Sequence, residues 1–174
     1  MLGGIAAGWL VAGAPAIRRD SDRSAAVRDA AVYACLGALP DLDLLIGAHS
    51  GATHSIGAAC LIGAAAALAR GAGAGLRLWR SAAIAGAACA AAYGSHVLLD
   101  WLSSDNSAPI GIMALWPVTR GYYESDLHVF MAISRRYYQG WAFVRQNLIA
   151  VAREVAILLL LLALVGVFRR RRVN

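Results

Sequence analysis

The chain has 174 residues, 60% of them hydrophobic, with a formal charge of +6 and a mean hydropathy of +0.60. That length corresponds to one domain, and that apolarity excludes an ordinary water-soluble enzyme and points to a bilayer. All sixteen basic residues are arginines placed at the ends of apolar runs, which reads as membrane topology and excludes a nucleic-acid-binding stripe.

The first apolar run, residues 2–17, is uncharged, rich in small residues and slightly short of the roughly 20 residues that cross a bilayer. No basic region precedes it and no clear cleavage site follows, so it does not read as a signal peptide. Residues 18–29 form a charged connector with four arginines, and residues 30–47 form the second run, with Pro40, Asp41 and Asp43 near its far end. A polar turn at 48–52 holds His49. The third run, 53–69, starts with Thr53 as the expected N-cap and His54 in the first turn. Residues 70–80, with three arginines and three glycines, read as a loop.

The fourth run, 81–102, is rich in alanine and ends in His96, Asp100 and Trp101; small residues at this density let helices approach closely in a bilayer. Residues 103–147 turn polar and aromatic, with Trp116, Trp141 and four tyrosines, and read as an extramembrane or interfacial cap with one or two short helices. The last run, 148–168, is interrupted by Arg153 and Glu154, which can snorkel or pair, and a four-arginine tail at 169–172 ends it. Cys35, Cys60 and Cys89 lie 25 and 29 residues apart in apolar surroundings; with no Cys-x-x-Cys pair they read as small core residues.

The expected fold is therefore all-α, a single integral-membrane domain over 1–174. It is a multi-pass transmembrane bundle of about five apolar helices, with the cap between the last two. If the runs alternate across the membrane, the end of run two, the start of run three and the end of run four share one face. Asp41, Asp43, His49, His54, His96 and Asp100 then converge there. Eleven of the sixteen arginines fall on the opposite face, which the positive-inside rule makes cytoplasmic and so puts the converging residues outside. Arg120, Arg135, Arg136 and Arg145 of the cap run against this assignment.

Those six residues are all metal-ligand types, costly in a membrane-grade sequence unless something pairs with them. His96 and Asp100 are one helical turn apart and present two donors from one face; the plain alternative is a self-neutralising hydrogen-bonded pair. Asp41 and Asp43 lie about 200° apart on an ideal helix, so Pro40 must break the backbone for both to serve one site. One aspartate is then expected to bind metal, and the other to bridge a second ion or orient a ligand histidine. His49 is a ligand or an exposed loop histidine. Such nitrogen and oxygen donors suit a divalent ion, zinc first, with manganese or magnesium as alternatives. In the cap, Asp105, Glu124, Asp126 and His128 are further candidate ligands or bases, although carboxylates in a polar stretch are usually just solvated. Arg120, Arg135 and Arg136 could hold a phosphate or lipid headgroup, or serve as interfacial anchors.

The ordered set LPDLD at 39–43, H-x-x-x-THS at 49–55, GSHVLLDWL at 94–102 and LWP at 115–117 resembles the bacterial family of predicted membrane-bound metal-dependent hydrolases, the LexA-regulated inner-membrane proteins. The resemblance covers roughly residues 2–120. It implies a multi-pass helical protein of the bacterial inner membrane with Asp41, Asp43, His54, His96 and Asp100 as metal-site and catalytic residues. Members of that family commonly carry a histidine just before the first run, and this chain shows none: either a ligand is missing or the start lies further upstream, and the shortness of the first run favours the second. Ser50 stands where the family often has arginine. The function expected is hydrolysis of an ester or phosphoester, of a small molecule, a lipid or an envelope precursor, with membrane lipids as partners and no nucleic acid. The alternatives are a metal or proton transporter and a non-catalytic membrane scaffold.

Overall fold

The computed structural model describes residues 1–13, 20–46, 50–72, 76–105, 108–134 and 136–173. The chain is all-helical, with α1 at Leu2–Ala12, α2 at Asp20–Leu36, a 3-10 helix at Leu39–Ile46, α3 at Ile56–Gly71, α4 at Leu76–Trp101, a short 3-10 helix at Tyr137–Gln139 and α5 at Trp141–Val173. Only isolated bridges, Ser103 with Phe130 and Ile112 with Tyr123, pair backbone in the extended sense among the described residues.

The helices are packed inside out relative to a water-soluble bundle. α1 buries Gly3, Gly4 and Gly8 and exposes Leu2, Leu10 and Val11. α3 buries Ala59, Gly63 and Gly71 while Ile56, Leu61 and Leu68 face outward. In α4 the buried positions include Ala82, Ala88 and Ala92, whereas Leu78, Ile84 and Leu98 are exposed. Small residues inside and large apolar ones outside is the arrangement a lipid solvent rewards, because close backbone approach, not burial of leucine, drives association there. At the α3–α4 crossing a Cβ on Gly63 would stand 2.7 Å from Ala90 Cβ and 2.8 Å from the Gly86 carbonyl, so only glycine permits this approach.

Among the described residues one helix, Leu78–Trp101, has the length and apolarity to cross a membrane, and only a third of its most apolar window is buried in the protein. α1 and α3, at 11 and 16 residues, fall short of a full span.

Several boundaries differ from those expected. The charged connector is helical from Asp20 onward, as the first part of α2. The expected loop at 70–80 is already α4 from Leu76, and the last helix begins at Trp141 and runs through the arginine tail to Val173. Helix propensity and continuity with the apolar segments outweigh the charges there, since arginine is itself a good helix former. The N-cap of α3 is Ser55, not Thr53: its side chain accepts from the Ala58 amide. Cys35 and Cys60 are exposed and Cys89 is only half-buried, so two of the three do not belong to the core.

α4 is the hub, packing against both α3 and α1, with α2 and α5 at the periphery. The cap is fastened to the helix ends by backbone bonds. Ile56 and Gly57, at the start of α3, donate to the carbonyls of Ala114 and Trp116, and Ser125 and Phe130 donate to Trp101 and Leu102 at the end of α4. The Asn147 side chain both accepts from the Ser134 amide and donates to its carbonyl, tying the end of the cap to α5.

Candidate metal centre

The centre forms where the 3-10 helix, the loop before α3 and the end of α4 meet. Pro40 sets the local geometry: α2 stops at Leu36 and the chain tightens into a 3-10 helix, turning Asp41 and Asp43 to different parts of one site. The loop carrying His54 is held by the Tyr93 hydroxyl, which donates to the Thr53 carbonyl at 2.7 Å, and by the His54 amide, which donates to Gly51. α4 supplies His96 and Asp100 one turn apart.

Two imidazoles and two carboxylates come together. His54 Nε2 lies 3.2 Å from Asp100 Oδ2 and 3.8 Å from Asp41 Oδ1. His96 Nε2 lies 3.2 Å from the same Asp100 oxygen and 3.4 Å from the same Asp41 oxygen. The rings stand edge to face with centroids 5.2 Å apart. Asp41, His54 and His96 can each offer one donor atom within 4.8 Å of the others.

The hydrogen bonds fix which ring nitrogen each histidine presents. His96 Nδ1 is 2.9 Å from the Gly37 carbonyl; a carbonyl can only accept, so Nδ1 carries the proton and Nε2 faces the carboxylates. His96 Nε2 is buried and, like that of His54, faces the carboxylates of Asp41 and Asp100. At His54, the Thr53 hydroxyl donates to Asp43 Oδ2 at 2.7 Å and lies 3.1 Å from Nδ1, which is itself 3.2 Å from that oxygen. The single hydroxyl proton is committed to Asp43, so His54 Nδ1 is the donor and Nε2 again points into the centre.

Asp43 is thus the orienting carboxylate, buried behind His54, and Asp41 is the one that reaches the donor cluster. His54 is fully buried, while Asp41 keeps 47% of its side chain exposed. Burial would lower the His54 pKa, but hydrogen-bonding contact with Asp100 and Asp41 outweighs it and raises the pKa to about 9. Burial would raise that of Asp41, yet contact with His54 and His96 holds its carboxyl well below the usual carboxylate range. Two imidazoles facing two carboxylates match a divalent-ion site in charge, because a dication can replace two protons there. The spacing fits as well: ligands at about 2.1 Å around a tetrahedral ion are separated by about 3.4 Å, against the 3.2–3.8 Å found between ring nitrogens and carboxylate oxygens.

A cavity of about 500 Å³ opens beside the centre. Asp41, His96, Asp100, Asp105 and Glu154 line its polar end, and Leu44, Leu99, Ile112, Phe130, Met131 and Ile133 are among its apolar walls. His49 lies outside the described residues. Asp126 and His128 are exposed and do not reach the centre; His128 instead approaches Glu124, 3.5 Å away, whose carboxylate accepts the Asp105 amide. Arg120 and Arg136 are exposed and do not line the cavity, and Arg135 lies outside the described residues.

The model of the YdjM inner membrane protein family matches residues 1–173. The chain belongs to that family. Membership makes it an inner-membrane protein, in agreement with the inside-out packing of α1, α3 and α4; the family description carries no reaction. No curated protein and no solved structure matches the chain.

Thr53, Gly37 and Glu154 contribute to this region without having been singled out as site residues from the sequence. A signal was present for two of them: Thr53 adjoins His54, and Glu154 is an acid inside an apolar run. The Gly37 carbonyl is a backbone contact that residue types cannot announce.

Proposed function

We propose that this YdjM-family chain is a membrane-bound metal-dependent hydrolase acting on an ester, in a multi-pass bundle whose site opens to the outer face. One observation carries the reading: His54 and His96, from different elements and with their tautomers set by separate partners, turn Nε2 toward the same two carboxylate oxygens. Asp41, His54 and His96 would hold the ion, with Asp100 as a fourth donor between the two rings. The two imidazoles favour zinc over magnesium. A divalent ion there supplies Lewis acidity and lowers the pKa of water, the chemistry that hydrolysis requires at neutral pH.

The chain's own residues then have separable tasks. Asp43 and Thr53 hold the His54 ring, and the Gly37 carbonyl holds that of His96. Asp41, the more exposed of the two cluster carboxylates, is the ligand that borders the cavity from which water and substrate would enter. The cavity walls keep the reacting end of a substrate away from bulk solvent. The arginine distribution, with eleven of sixteen on connectors and tail, supports the outward orientation.

The test is elemental analysis of detergent-purified protein together with hydrolysis of chromogenic carboxylic esters by wild type and His96→Ala. Bound zinc near one equivalent, lost with the activity in the variant, is the expected result. A metal-free preparation hydrolysing as fast as the loaded one would overturn the reading.

A further inference from the structure

Four serines, Ser50, Ser95, Ser103 and Ser104, line the cavity beside the donor cluster, and three of them have committed their hydroxyl proton to the protein. Ser95 donates to the Ala92 carbonyl at 2.8 Å, Ser103 to that of Leu99 at 3.0 Å and Ser104 to that of Phe130 at 3.3 Å. Ser50 is different. It is only 5% exposed, yet among the described residues its hydroxyl has no hydrogen-bond partner. What remains accessible of it borders the same cavity as Asp41 and His96. A hydroxyl so enclosed is normally satisfied, and the contents of the cavity are what is left to satisfy it.

The backbone holds Ser50 there against its preference. Its φ is 63°, in the left-handed region that a residue bearing a Cβ disfavours. The next residue is Gly51, whose own φ is not positive; a glycine one position earlier would carry this conformation without strain. The turn is fixed from two sides. The Ser50 carbonyl accepts the Met113 amide at 2.9 Å, and the Gly51 carbonyl accepts the amide of His54 at 2.9 Å. Ser50 therefore rides on the same tight turn as a histidine of the donor cluster. Backbone strain retained at a cavity wall, under a side chain with no partner of its own, is the condition of a residue kept for what it touches.

We propose that Ser50 contacts the substrate, its hydroxyl donating a hydrogen bond to an acceptor oxygen of the molecule bound in the cavity. That this oxygen is the carbonyl oxygen of an ester rests on the hydrolase reading; the contact itself does not. Negative charge gathers on such an oxygen as water attacks, so the bond strengthens in the transition state and its loss falls mainly on kcat.

The experiment follows hydrolysis of 4-nitrophenyl butyrate by the zinc-loaded protein in detergent, with Ser50→Gly and Ser50→Ala beside the wild type, and checks each by elemental analysis and thermal unfolding. Both variants should keep their zinc and lose about tenfold or more in kcat/KM, chiefly through kcat. Ser50→Gly, relieved of its Cβ, should unfold at a higher temperature than Ser50→Ala. Wild-type kinetics in Ser50→Gly overturns the proposal, as does zinc lost in step with activity in both variants, which would make Ser50 part of the frame of the metal centre. The same contact is read without turnover by equilibrium binding of 4-phenyl-2-butanone and butylbenzene, which differ only in a carbonyl in place of a methylene, with empty micelles as background. The wild type should favour the ketone, and Ser50→Gly should narrow that preference about threefold or more; an unchanged preference overturns the proposal as well. A preference that depends on Ser50 with no ester hydrolysis would sink the hydrolase reading alone, and hydrolysis indifferent to Ser50→Gly would sink this one alone.

Discussion

Asp43→Asn isolates the role of the buried carboxylate behind His54. In the native site Asp43 Oδ2 takes the Thr53 hydroxyl proton at 2.7 Å and stands 3.2 Å from His54 Nδ1. Asparagine keeps the volume and one acceptor but loses the charge, so the ring retains its tautomer with a weaker anchor. Loss of such an outer partner lowers metal affinity about 10- to 100-fold, or about 1.4–2.8 kcal/mol. Weakening a ligand directly by Asp41→Asn, or removing one by His96→Ala, should cost more. Thr53→Val, which removes only the bridging hydroxyl and leaves the carboxylate facing His54 Nδ1, should cost less than Asp43→Asn. The assay is competition for zinc between the detergent-purified protein and a chromophoric chelator, with stoichiometry from elemental analysis and folding checked by circular dichroism. The expected order of affinity is wild type, Thr53→Val, Asp43→Asn, then Asp41→Asn. Wild-type affinity in Asp43→Asn would refute the orienting role, and a loss as large as that of Asp41→Asn would make Asp43 itself a ligand.

Zinc affinity should rise with pH by at least about tenfold per unit below about 9, because His54 must release a proton to bind and is still charged there in the metal-free protein; titrations at pH 6, 7 and 8 check this. In the chelated protein the sign for stability is opposite. The His54 pKa is raised from about 6.5 to about 9, so the stabilisation from its charged form is complete below 6.5 and lost as pH rises through 9; thermal unfolding with chelator should show a falling midpoint across that window. Gly63→Leu should destabilise the α3–α4 crossing by at least about 1–3 kcal/mol, because its side chain has no room against Ala90 and the Gly86 carbonyl, and should lose bound metal together with helical signal on heating. Tyr93→Phe removes the donor to the Thr53 carbonyl and should cost about 1 kcal/mol with one equivalent of zinc retained, measured by thermal unfolding and elemental analysis.

The meeting of Asp41, Asp43, His54, His96 and Asp100 was legible from the sequence because alternation of apolar runs is a counting argument that survives errors in helix boundaries. Run two ends, run three begins and run four ends on one side whether α2 starts at residue 20 or residue 30. The different placement of Asp41 and Asp43 was legible too, since two residues two apart cannot share a helical face and Pro40 marked the break. The membrane was legible in composition; five full spans are not what the described residues show, because the length of an apolar run does not fix the helix it becomes. Outward-facing Cys35 and Cys60 were misread because apolar surroundings imply a core only in water. In lipid the small residues go inside and the rest of an apolar helix faces out. The Gly37 carbonyl at His96 had no signal in residue types at all.

The distribution of ionisable groups along α1, α3 and α4 also bears on the choice between the proposed hydrolase and a translocation path. α1 carries no charged residue, α3 none before Arg70 near its end, and α4 none of Asp, Glu, Lys, Arg or His between Arg80 and His96. A transported ion would have to leave a site with two carboxylates and two imidazoles and cross a wall of alanine, glycine and leucine with nothing to replace those contacts, at the cost that makes isolated charges rare in bilayers. The donor cluster instead opens into a cavity with an apolar wall, which is what the proposed hydrolase needs for a substrate to enter and leave without crossing the membrane. The expected outcome in liposomes containing the purified protein is zinc bound near stoichiometry at the accessible face with no accumulation in the lumen above protein-free vesicles. Luminal zinc that grows with time and saturates with external concentration would refute this and return the cluster to the role of an entry site.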